Sequence, residues 1–150
     1  MSVRDTARAM SQENVEIVRQ FYECWTNRDF DGVLECSDPD VLFDWSESRS
    51  PYTGVYAGHE GLMEFRTELE EAFEGFSVEA LDTIELDPER LVTVTAVRGR
   101  GRESGIVLQA GGAMLWRLRA GRILSGKLFQ SKDEALEAVG LSEQDAQADT

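Results

Sequence analysis

The chain has little of what most catalytic and metal-binding signatures require. Its 150 residues include one histidine, two cysteines and three prolines, and 15 basic residues stand against 29 acidic ones. The histidine, His59, has no cysteine or carboxylate at ligand spacing, so it gives no metal signature. Cys24 and Cys36 also lack metal spacing, and both fall in segments predicted to be helical, where a free thiol acts as a small hydrophobe. The chain contains no glycine-rich phosphate loop, nucleophile elbow, paired-cysteine site or internal repeat, and nothing in it calls for a cofactor. A formal net charge of -14 argues against nucleic acid and anionic membrane as partners, because both bind clustered positive charge. The "RGRGR" stretch is too short and too isolated in an acidic chain to change that. No apolar run reaches the roughly 18 residues of a membrane span. No short apolar run follows a basic start either, so a cytoplasmic location is expected.

What the chain does have is a clear order of periodicities. From Ser11, a good N-cap, Val15, Val18, Phe21, Tyr22 and Trp25 recur at three- and four-residue spacing, which predicts a helix ending near Asn27. Asp29 caps a second, short helix through Val33 and Leu34, and Pro39 precedes a strand over 41–47. Residues 48–58, "SRSPYTGVYAG", read as a loop. A third helix follows, with Leu62, Phe65, Leu69, Ala72 and Phe73 on one face and Gly75 as its C-terminal cap. The period then drops to two through "FSVEALDTIEL", "RLVTVTAVRGRGR", "IVLQAGGAMLWRLR" and "ILSGKLFQ", four strands joined by short turns and so expected to be antiparallel neighbours. "SKDE" at 131–134 fits a capping box for a last short helix that stops at Gly140.

Helices first and a strand meander afterwards predict an α+β domain: a cone-shaped, curved antiparallel β-sheet packed against three helices of the N-terminal half, with a short C-terminal helix. Residues 1–10 are expected to be a flexible N-terminus, 11–140 the domain, and 141–150 a flexible tail.

This order, with "VRQFYECWTNRDFDGVLECSDPDVLFDW", the "GHEGLMEFRTELEEAF" helix and "GRI" before the last strand, resembles the nuclear transport factor 2-like superfamily. Within it the chain looks most like the SnoaL-like, ketosteroid isomerase-related proteins of bacteria. In ketosteroid isomerase an Asp base works with an oxyanion hole made of a Tyr and a protonated Asp. Matching the Asp29 turn to the family's corresponding turn puts that Tyr at Phe21, and continuing without a gap puts the base at Trp45. Counting back from Gly121 puts the second Asp at Ala113. The resemblance therefore implies the fold without the steroid isomerase functional groups. A slip of one residue would bring Tyr22 and Asp44 into two of those places, while turning the flanking apolar faces outward.

The resulting expectation is a pocket for a small apolar or aromatic molecule, an anionic group on it being one option, walled by Phe21, Trp25, Phe43 and Trp45. Ala113, Leu115 and Leu128 share that wall in the same register. Tyr56, with Tyr52, could close over the mouth from its loop. Arg98, Arg100 and Arg102 alternate with Val97, Gly99 and Gly101 and share one strand face; Arg98 is the first choice for a polar anchor, against a plain reading as a wet strand end. Glu47 shares a face with Phe43 and Trp45, and Asp44 points the other way. Either would be the acid or base if the domain were a polyketide cyclase-, isomerase- or hydrolase-like enzyme. His59 reads as a surface residue at the first turn of a helix. Met114, Trp116 and Leu118 are expected on the opposite sheet face, where an apolar patch would support a homodimer. A non-catalytic dimeric interaction module, its cone filled by Trp25 and Trp45, is the remaining reading.

Overall fold

In a computed structural model of the chain, which describes residues 3–47 and 54–140, the aromatic helix is longer than its pattern of apolar residues. Helix α1 spans Val3–Thr26, so Ser11 is not its cap and the stretch expected to be flexible is helical from Val3 onward. Ala7, Arg8, Ala9 and Met10 are strong helix formers, which is enough to carry the helix back past Ser11. Val18, Phe21, Tyr22 and Trp25 are all buried along it. At Arg28 the backbone turns through φ 61°. Helix α2 (Phe30–Glu35) then starts under Asp29, whose carboxylate accepts from Gly32 N at 3.1 Å.

Strand β1 (Ser37–Asp44) pairs with a strand that its composition hides. Val55–Ala57 forms β2, antiparallel to β1 with Tyr56 opposite Phe43, so part of the expected loop is an edge strand. The remainder of that loop and the 141–150 tail lie outside the described residues. Helix α3 (Gly58–Ala72) passes into β3 through an extended Phe73. Gly75 is not its cap: its φ of 65° falls inside β3, where the pairing register shifts between Glu74 and Ser77. Strands β3 (Phe73–Asp87), β4 (Arg90–Gly101), β5 (Val107–Arg119) and β6 (Arg122–Phe129) form the expected antiparallel meander. The six-stranded curved sheet runs β2-β1-β6-β5-β4-β3. It is not wholly antiparallel, because β1 lies parallel to β6, a pairing that only a long crossover allows. Helix α4 (Lys132–Ala138) starts with Ser131 Oγ accepting from Glu134 N at 3.2 Å.

The two sheet faces are assigned differently from the sequence expectation. Leu91 pairs with Trp116 and Thr93 with Met114; these four residues face α1 and α3, and Trp116 is only 1% exposed. Ala113 and Leu115 point the other way, into a second apolar cluster with Val92, Phe129 and the α4 residues Ala135 and Leu136. The alternation along β5 was legible, but its sign depended on an element outside the strand. α4 needs an apolar bed and takes it on the face away from α1. Met114 and Trp116 therefore offer no outward patch, and the homodimer expected through them has no contact surface there.

Candidate functional site

Between α1, α3 and the concave sheet face lies a cavity of about 340 Å³. Helix α1 contributes Phe21, Tyr22 and Trp25, and β1 with the residue just beyond it contributes Phe43 and Trp45. Phe65 and Leu69 come from α3, Phe73, Phe76 and Val78 from β3, and Met114 and Trp116 from β5. The rings brace one another. Trp25 stacks on Phe21 at 5.8 Å between centroids, Trp116 meets Phe21 edge-on at 5.2 Å, and Trp45 lies against Phe65 at 4.8 Å. Offset and edge-on arrangements are the favourable ones for aromatic pairs, each adding about 0.5–1.5 kcal/mol beyond area burial.

The polar groups in this wall are few and linked. Tyr22 Oη lies 2.7 Å from both Thr93 Oγ1 and Thr95 Oγ1, and Trp116 Nε1 donates to Thr93 Oγ1 at 2.8 Å. Burial pushes the Tyr22 phenol above its ordinary pKa, and the threonine hydroxyls offset only part of that. Tyr22 is therefore a neutral phenol tied into a network. The indole Nε1 of Trp45 is buried without a hydrogen-bond partner among the described residues. At the rim Gln130 lines the opening and donates through Nε2 to Glu47 O at 2.5 Å. Among the described residues no carboxylate, histidine, lysine or arginine forms part of the cavity wall.

The structure brings together Phe21, Trp25, Phe43, Trp45 and Leu128 on that wall. The other candidates lie elsewhere. Asp44 faces away from the cavity, paired in register with Lys127, and its carboxylate accepts from Ser46 N at 2.9 Å. Partial burial raises its pKa, but the Ser46 hydrogen bonds and the Lys127 charge outweigh this and hold it below its usual value. That is the reverse of what a general acid needs. Glu47 is exposed, 3.8 Å from Lys127 Nζ. Arg98 and Arg100 are exposed and share their strand face with Val94 and Ala96, while Thr95 and Val97 point into the cavity. The arginine stripe is thus on the wrong side of β4 to anchor a ligand in the cavity. Ala113 and Leu115 sit beneath α4. Tyr56 is buried behind Phe65, at 4.7 Å, with its hydroxyl donating to Glu68 Oε2 at 2.8 Å, so it is not a lid; Tyr52 is outside the described residues. His59 is half-buried in the first turn of α3, its Nε2 3.0 Å from Ser37 O. No group of three His, Cys, Asp or Glu among the described residues is placed to hold a metal ion, and no described helix is long and apolar enough to cross a membrane.

Thr95, Met114 and Trp116 are cavity residues absent from the sequence expectation, and Tyr22, considered there only under a one-residue slip, lines the cavity beside Phe21. Two signals were available. Tyr22 adjoins Phe21 within the same helical stripe, wide enough to hold both. The "TVT" of residues 93–95 places two hydroxyls on the strand face they share with Leu91 and Val97, which is otherwise apolar.

Comparison with known proteins agrees with this fold. A family model described as "SnoaL-like domain" matches residues 18–126. Among solved structures, Bal32a from a soil-derived mobile gene cassette superposes with a TM-score of 0.72 at 20% identity, covering 79% of this chain and 89% of that one. TerC co-crystallized with polyporic acid gives 0.69 at 21% identity, with 79% and 91% covered. Rv0760c from Mycobacterium tuberculosis, in complex with estradiol-17beta-hemisuccinate, gives 0.67 at 17% identity, with 81% and 95% covered. At these identities the likeness speaks for the fold. A comparison with curated proteins finds no match.

Proposed function

The chain belongs to the SnoaL-like domain family, and on that basis we propose that it binds a small, largely apolar, uncharged molecule within its aromatic cavity. The observation that carries this reading is the wall itself. A volume of about 340 Å³ falls in the range of roughly 300–1,000 Å³ typical of small-molecule sites. All three tryptophans of the chain line it. An anionic ligand, the option left open by the sequence, would lose its hydration without meeting a cation on the described wall, a cost of several kcal/mol, on the order of that for a buried unpaired charge. That structural neighbours were captured with polyporic acid and with estradiol-17beta-hemisuccinate supports ring systems as the class of occupant; both of those molecules are acids, and the described wall of this chain has no cation to meet an acidic group. The acid/base candidates Asp44 and Glu47 do not reach the described wall, and its titratable group, Tyr22, is a phenol tied to Thr93 and Thr95.

The test is equilibrium dialysis with fluorene, a flat hydrocarbon with no polar group, against the wild type and Val97→Trp, which puts a large ring at a half-buried position that points into the cavity. Saturable binding by the wild type, weakened at least tenfold in the variant, is expected. Equal uptake by both would show that fluorene binds elsewhere and would end this reading.

A further inference from the structure

The hydroxyl cluster at the base of the cavity holds one more hydrogen than its own contacts use. Trp116 Nε1 is a donor only, and each of Thr93, Tyr22 and Thr95 carries a single O–H. The strong contacts number three: Trp116 to Thr93 at 2.8 Å, Thr93 to Tyr22 at 2.7 Å, and Tyr22 to Thr95 at 2.7 Å. Four hydrogens on three links leave one over. If the chain runs in one direction from Trp116, each group donating to the next, the hydrogen left over is on Thr95. Its partner within the cluster is then Thr93 at 3.4 Å, too long for a good O–H···O bond. If both threonines donate to Tyr22, the spare hydrogen is the phenol's, an arrangement disfavoured because a phenol is the stronger donor and an aliphatic hydroxyl the stronger acceptor. If Tyr22 instead donates back to Thr93, the spare hydrogen sits on Thr93, which is 1% exposed and does not line the cavity. Thr95 does line it, so the first arrangement is the one that a bound molecule can complete. Donation along a chain also polarises each successive O–H, which makes the terminal one the better donor.

We infer that the cavity selects a neutral, flat molecule carrying one hydrogen-bond acceptor, a ketone, quinone or ether oxygen, which takes its hydrogen bond from Thr95 at the end of the Trp116–Thr93–Tyr22–Thr95 chain. This rests on the proposed binding function and adds the polar feature that decides between apolar ligands of equal shape. Hydrocarbons of the same outline leave the Thr95 hydrogen weakly bonded, and ligands offering only donors compete with it. Thr93 and Tyr22 are positioning residues that orient the hydrogen of Thr95.

Fluorene and 9-fluorenone share one outline and differ by a carbonyl, so dialysis of both against wild type, Thr95→Val and Thr95→Ser isolates the contact as a double difference. Thr95→Val is expected to weaken fluorenone roughly three- to tenfold more than it weakens fluorene, and Thr95→Ser, which keeps the hydroxyl, is expected to restore fluorenone. The carbonyl stretch of fluorenone bound to wild type should lie below its position in an alkane solvent, a readout that does not require the valine variant to fold. Fluorenone affinity indifferent to Thr95→Val, or a carbonyl stretch at the alkane position, would overturn the inference and leave cavity binding standing. Failure of both molecules to bind would remove the proposed function and this inference with it.

Discussion

Tyr22 of α1 and Thr95 of β4 meet at 2.7 Å although 73 positions separate them in the chain, and this contact ties the first helix to the floor of the cavity. Tyr22→Phe removes the hydroxyl at the centre of the network and leaves Thr93 and Thr95 facing each other at 3.4 Å. A loss of about 1–3 kcal/mol is expected, the cost of leaving a buried polar group without its partner. Urea denaturation of the two proteins measures it, with the slope unchanged.

Trp116 is fully enclosed, donates to Thr93 and packs against Phe21 and Tyr22. Trp116→Ala should therefore lower stability by about 3–5 kcal/mol, as large-to-small core changes do. Its molar mass by light scattering should equal that of the wild type. A fall in mass with little loss of stability would instead show Trp116 at an interface between copies.

The charged candidates sit off the cavity wall, and their removal should leave binding alone. Arg98→Ala, Asp44→Asn and Glu47→Gln are each expected to hold fluorene affinity within about twofold, the scale of surface substitutions. A tenfold loss in any of them would place that side chain at the ligand.

Two aspartates make stability depend on acid pH. Burial raises both, but Asp44 is held below its usual pKa by Ser46 and Lys127, and Asp87 by its hydrogen bonds from Arg90 and the Glu89 amide. A depressed folded pKa means the unfolded chain binds protons more readily, so the stabilisation is present above the unfolded value of roughly 4 and is lost as pH falls below it. Thermal melts between neutral pH and this window should show the decline, and it should be shallower in Asp87→Asn, which cannot titrate at that position.

Gly126 supports the wall from beneath. A Cβ there would come within 2.9 Å of Trp116 Cζ3 and 3.1 Å of Met114 Cε. Gly126→Ala is expected to cost about 1–3 kcal/mol through overpacking and to weaken fluorene binding by displacing Trp116. Thermal shift and dialysis on the same sample check both.

Much of this architecture was legible because periodicity is a local property. The stripe of Val18, Phe21, Tyr22 and Trp25, the Asp29 cap, the "SKDE" capping box and the four-strand meander each depend on residues near one another in sequence, and each forms where its pattern lies. The short edge strand Val55–Ala57 was hidden among turn-forming residues because its stability comes from pairing with β1, not from its own composition. The aromatic half of the site followed from the helix stripe and β1. The strand half did not, because alternation names two faces without saying which one is covered by which helix.

By itself the sequence determined the elements, their order, the aromatic character of α1 and β1, and an acidic chain without clustered cations or metal spacing. Only the tertiary structure decided that Met114 and Trp116 face inward and Ala113 and Leu115 lie beneath α4. Only it showed that the arginines project away from the cavity, and that Tyr22, Thr93, Thr95 and Trp116 close into one network. The physical reason is that a one-residue choice of face leaves every local preference satisfied. Contacts between residues tens of positions apart, with α1 on one face of the sheet and α4 on the other, break that tie.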